Sequence, residues 1–150
     1  MKKVVNIVML GLLFLVVGCS SNNSEKKLET VTYGMEVNGV HLSMEVKYDK
    51  DKHVQETITK NTYNYKEMGM DKAQVEEHIK NASTMYKEMT GVTNTVDYGE
   101  KEAKETLKVI VKDVSKESLP VLFSINANDD GTVSLDTLTK NLKSVGFEKD

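Results

Sequence analysis

The sequence predicts an α+β domain: a two-layer sandwich in which an antiparallel sheet of about five strands carries two helices on one face. Three observations predict it. Apolar residues alternate with polar ones on both sides of Asn38-Gly39, the pattern of two strands joined by a tight turn. Over residues 70–90 the apolar spacing changes to steps of three, four and seven, which is helical. After Ser134 the leucines Leu135, Leu138 and Leu142 repeat that helical spacing.

The chain opens with Lys2 and Lys3, an apolar run over residues 4–17 and the small residue Gly18. A basic head, a short apolar centre and a small residue before a cut form a secretory signal peptide. The run is shorter than the ~20 apolar residues that span a bilayer. Cys19 follows Gly18 and is the single cysteine of the chain. The segment Leu15-Val16-Val17-Gly18-Cys19 resembles the lipobox of bacterial lipoproteins, with Val16 where leucine is usual. That resemblance implies cleavage between Gly18 and Cys19 and a diacylglycerol lipid, with palmitate-class chains, on the Cys19 sulfur. Two acyl chains hold stably where one does not, each buried methylene contributing roughly 0.8 kcal/mol. An uncleaved membrane helix and a secreted free thiol are the competing readings. The cysteine at the cut favours the anchor and places the protein on the extracytoplasmic face of the cell membrane.

Removing residues 1–18 from 150 leaves 132, enough for one domain, here residues 30–150. A domain of that size folds without a metal or disulfide. All 20 basic residues are lysine. The 18 beyond the leader face 23 acidic residues, a balance of −5. An acidic chain without arginine is a poor partner for nucleic acid. Residues 19–29 are polar and small-residue rich and read as a flexible tether.

From Thr30 the strands begin. Val31, Tyr33, Met35 and Val37 make one face; after the turn Val40, Leu42, Met44, Val46 and Tyr48 do the same. A weaker, Thr-rich third strand covers residues 54–65. The helix over residues 70–90 is capped by Asp71 and turns Val75, Ile79, Ala82, Met85, Tyr86 and Met89 inward. Gly91 stops it. Strands resume with Val92, Val96 and Tyr98, then with Leu107, Val109 and Val111. Residues 115–128 contain Pro120 among apolar residues and read as an irregular or short helical cover. The last helix is capped by Ser134, buries Leu135, Leu138, Leu142 and Val145, and stops at Gly146.

The Asn38-Gly39 hairpin, Tyr86-Lys87 leading to Gly91-Val92 and Tyr98, and the final leucines running into Gly146-Phe147 resemble, with the lipobox, the YehR-like family of small bacterial lipoproteins. The resemblance spans nearly all of the chain beyond the leader. It implies a compact two-layer domain, carries no catalytic signature and comes with an unassigned role; the one site residue it carries over is the lipidated Cys19.

Reactive groups are sparse. His41, His53 and His78 fall on a strand, a turn and a helix without paired spacing, which is unlike a zinc site. Asn126, Asn128 and Asp130 alternate before Gly131, like the start of a calcium loop. Yet position twelve is Thr137 rather than a bidentate glutamate, and a turn with a helix cap explains the same residues. Met68, Met70, Met85 and Met89 offer thioethers, but methionine at helical spacing is ordinary core filler. There is no Gly-x-Ser-x-Gly and no phosphate loop, and Glu76-Glu77 do not converge. Tyr63, Tyr65 and Tyr98 are candidates for an aromatic binding surface. The expectation is a non-enzymatic envelope binding module without cofactor other than its lipid. Its partner would be an envelope protein, a glycan or a small ligand, met through the wet sheet face (Thr32, Glu36, His41, Glu45, Lys47). The alternative is a metal- or calcium-responsive module built on residues 126–134.

Overall fold

The structure, a computed structural model, describes residues 27–150. The signal peptide, Cys19 and most of the tether therefore lie outside the described residues. Among the described residues the strands are β1 (Glu29–Val37), β2 (Val40–Tyr48), β3 (Val54–Asn64), β4 (Val92–Tyr98), β5 (Glu102–Ile110) and β6 (Glu148–Lys149). The α-helices are α1 (Tyr65–Met68), α2 (Lys72–Ser83), α3 (Leu119–Phe123) and α4 (Leu135–Ser144). The α+β class stands, with six strands and four helices in place of five and two. The extra elements are short: β6 is a two-residue strand, and α1 is a single turn. The first strand starts at Glu29, one residue before Thr30.

The sheet is antiparallel throughout, in the order β4-β5-β3-β2-β1-β6. Its first hairpin turns on Asn38 and Gly39, both at positive φ (49° and 76°), the geometry whose twist matches paired strands. A Cβ on Gly39 would lie 2.7 Å from the Glu67 Cβ and from the Met68 backbone nitrogen, because α1 packs onto this turn.

The register gives the sheet one covered and one open face. Val31, Tyr33 and Met35 lie opposite Val46, Met44 and Leu42; these continue onto Thr57, Thr59 and Asn61 of β3 and Val109, Leu107 and Glu105 of β5. Between Lys47 and Tyr48 the ladder slips by one residue. That bulge turns Val54 onto the covered face, where it joins the core. Helices α3 and α4 lay Leu119, Phe123, Leu135, Leu138 and Leu142 over Tyr33, Val46 and Val109. The irregular cover expected over residues 115–128 is thus α3 with its flanks. Val145 is exposed rather than inward, since α4 ends at Ser144.

A second cluster lies on the same face, nearer β4: Tyr65, Val75, Ile79 and Ala103, with Tyr63, Met68, Val96 and Tyr98 against them. Helix α2 covers it. Asp71 caps the helix through Gln74, each side chain bonding the other's backbone N–H. The helix stops at Ser83 and tightens into a 3-10 turn over Thr84–Tyr86. The change of pitch rotates Met85 outward, to 53% exposure, and Ala82 is exposed as well. The long helix expected over residues 70–90 is therefore two shorter pieces.

Candidate functional site

The two apolar clusters are separated by a polar seam on the covered face. Its centre is Glu105 of β5, 5% exposed. Strand alternation places Ala103, Glu105, Leu107 and Val109 on one side of β5, so the carboxylate points under the helices. Burying a carboxylate without partners costs several kcal/mol, and here the partners are neutral. The Tyr63 hydroxyl donates to Glu105 Oε2 at 2.7 Å. Asn61 Nδ2 donates to the same oxygen at 3.0 Å, and Asn94 Nδ2 donates to Oε1 at 2.9 Å. Among the described residues no lysine or histidine pairs with Glu105 within 4.0 Å. All three contacts are donors, the set an ionised carboxylate accepts.

The seam opens into a cleft of about 970 Å³ between α2 with its 3-10 turn and strand β4. Asn94 and Ser83 form its polar floor; Tyr86, Val96 and Tyr98 supply apolar wall, and Glu76, Glu77, Lys80 and Lys87 stand around it. Ser83 is fixed by donating to the Ile79 carbonyl at 2.7 Å, a bond available because it closes the last turn of α2. Asn94 Nδ2 reaches Ser83 Oγ at 2.9 Å as well as Glu105. The amide oxygens of Asn61 and Asn94 are buried and accept no hydrogen bond from the protein. Burial, and then the hydrogen bond to Glu105, push the Tyr63 phenol well above its ordinary value. The Tyr86 phenol is also raised, by burial and then by the charge of Glu105. The field of the buried carboxylate therefore reaches the cleft wall.

The residues singled out from sequence fall elsewhere. His41 and His78 are exposed and on different elements, while His53 bridges to Ser134. Among the described residues no three His, Cys, Asp or Glu side chains gather as metal ligands. Asn126, Asn128 and Asp130 are all exposed. Asp130 Oδ1 accepts from both the hydroxyl and the backbone N–H of Thr132, and Asn128 Nδ2 donates to that hydroxyl. These bonds hold the Asp130 carboxyl below its ordinary value and turn its oxygen inward to the loop. Tyr63, Tyr65 and Tyr98 do come together, but in the cluster beneath α2 rather than on a surface; Tyr98 alone among them lines the cleft. Thr32, Glu36, His41, Glu45 and Lys47 share the open face as expected. There Glu56 takes Lys47 at 2.7 Å and Lys108 at 2.8 Å. Glu105, Asn61, Asn94 and Ser83 escaped the sequence reading. The one available signal was a charged residue in phase with Leu107 and Val109.

A model of the family described as "Protein of unknown function (DUF1307)" matches residues 29–148. The chain is 29% identical over 126 residues to the uncharacterized lipoprotein Lmo0207 of Listeria monocytogenes, covering 82% of each chain. It is 30% identical over 126 residues to the uncharacterized lipoprotein Lin0239 of Listeria innocua, with the same coverage. In fold it is similar to the E. coli YehR protein solved by NMR, with TM-score 0.69 and 18% identity, covering 83% of this chain and 92% of that one.

Proposed function

The chain belongs to the DUF1307 family of proteins of unknown function, and we propose that it is a non-catalytic binding module anchored by lipid on Cys19 at the extracytoplasmic face of the membrane. The α2–β4 cleft is its ligand site. The lipoprotein names of the relatives support the anchor. The observation that carries the binding role is the cleft floor. Asn94 ties Ser83 to a buried carboxylate through its Nδ2 and keeps a buried oxygen without a protein partner, in a concavity whose wall mixes tyrosine and valine with Glu76, Glu77, Lys80 and Lys87. A concave site with apolar wall and a few convergent polar groups is the usual form of a small-ligand site. The same floor supports binding over catalysis. Ser83 is hydrogen-bonded to a backbone carbonyl and an amide, and among the described residues no imidazole or amine is hydrogen-bonded to it as an activating base would be.

Cells fed an alkynyl palmitate test the anchor. The expected result is label on the wild-type chain and in the membrane fraction, and loss of both in Cys19→Ser. An unmodified thiol on the wild-type chain, or label retained by Cys19→Ser, overturns it.

A further inference from the structure

We propose that the cleft takes a primary organic ammonium compound, seating the –NH₃⁺ group on Ser83 Oγ, Asn94 Oδ1 and Glu105 Oε1, with its hydrocarbon body against Tyr86, Val96 and Tyr98. The assignment rests on the cleft being the ligand site. An alkylammonium has three donors and no acceptor. Ser83 and Asn94 line the cleft and Glu105 lies buried behind Asn94, so three acceptors are bound to, or carried by, one side chain: Asn94 Nδ2 now bridges Glu105 Oε1 at 2.9 Å and Ser83 Oγ at 2.9 Å, while Asn94 Oδ1 has no protein partner among the described residues. Asn94 therefore occupies the place of a double donor between the cleft and the carboxylate. A half-turn of its amide withdraws Nδ2 and delivers Oδ1. A ligand ammonium then donates to all three oxygens, and its charge meets the buried carboxylate, which among the described residues has no cationic side chain within 4.0 Å. The glutamates and lysines around the rest of the cleft are equal in number, so the floor sets the preference. Its field is negative: Glu105 contributes to the raised phenols of Tyr86 and Tyr98, after burial in both cases and after Glu76 in Tyr98. The faces of those two rings favour a cation in the same direction. A carboxylate ligand would meet Glu105 as a like charge. An alcohol would leave most of the acceptors unmatched.

The experiment uses the full lipidated chain in detergent micelles, isotope-labelled, titrated separately with n-butylammonium chloride, 1-butanol, sodium butyrate, sodium chloride and calcium chloride. Amide shifts at Ser83, Asn94 and Val96 report on the cleft. Butylammonium is expected to bind at least about tenfold more tightly than butanol, since a charge-assisted hydrogen bond is worth about one such factor or more. Butyrate is expected to leave the three amides unmoved. Glu105→Gln should abolish the tenfold preference. Ser83→Ala should weaken butylammonium more than butanol and serves if the glutamine variant does not fold. Equal affinity for butylammonium and butanol overturns the ammonium assignment and leaves the cleft reading standing. So does a preference that survives Glu105→Gln, or calcium or sodium shifting the same amides more strongly. No response to any probe overturns both.

Discussion

Tyr63 and Glu105 should show a coupling that removes most of the cost of a mutation. In the wild-type protein, Tyr63→Phe removes a 2.7 Å hydrogen bond to a carboxylate that is 5% exposed. Hydrogen bonds to charged groups contribute roughly 1.5–3 kcal/mol, so the single variant should lose about 2 kcal/mol. Glu105→Leu removes the acceptor shared by Tyr63, Asn61 and Asn94. Asn94 keeps Ser83, but the phenol and the Asn61 amide lose the acceptor they share, each at roughly 1–3 kcal/mol. In that leucine background the phenol has lost its acceptor and keeps only the Asn61 amide, which donates to it at 3.4 Å, so Tyr63→Phe should be close to neutral. The coupling energy is then about 2 kcal/mol or more. Urea denaturation of the four proteins measures it, with unchanged m-values confirming a common transition. If the two substitutions add to within about 0.5 kcal/mol, as independent sites do, the seam is not an energetic unit and the account of Glu105 is wrong.

Gly39→Ala should destabilise by roughly 1–3 kcal/mol, from the positive φ and from a Cβ that would lie 2.7 Å from α1; thermal denaturation measures it, and a change below about 0.5 kcal/mol would show that the turn relaxes freely. Hydrogen bonds from Lys108 and then Lys47 hold the Glu56 carboxyl below its ordinary value of 4.5. A carboxyl lowered in the folded state stabilises above its unfolded value and loses that contribution as pH falls through the folded one. Glu56→Gln should therefore reduce the steepness of acid unfolding below about pH 4.5 and narrow the wild-type advantage there, with identical acid profiles the refuting result.

Much of the sheet could be read from the chain because its covered face is continuous. Residues alternating through β1 and β2, and the Asn38-Gly39 turn between them, leave one register that buries Tyr33 and Val46. The cap at Asp71 and the Ser134 cap were legible for the same local reason, a side-chain oxygen placed before a helical run. What escaped depends on contacts distant in sequence. Strand β6 has two charged residues and no pattern of its own; it exists because β1 offers Tyr33 and Gly34 as partners. The outward turn of Met85 follows from a change of pitch after Ser83 that spacing cannot report. Glu105 was the readable omission. Its phase with Leu107 and Val109 marks it as covered, but its partners come from β3 and β4, which no local window joins.

The small strand β6 also has a consequence for how the molecule behaves in company. It pairs with the middle of β1, and Asp150 N–H extends that pairing by donating to Thr32 O at 3.1 Å. Those last residues occupy backbone groups of β1 that would otherwise be open to a neighbouring chain, and they meet solvent with Glu148, Lys149 and Asp150, a composition that discourages edge-to-edge stacking. Clipping the tail after Phe147 would leave the hydrophobic layers in place and yet turn a covered sheet edge into a template for self-association.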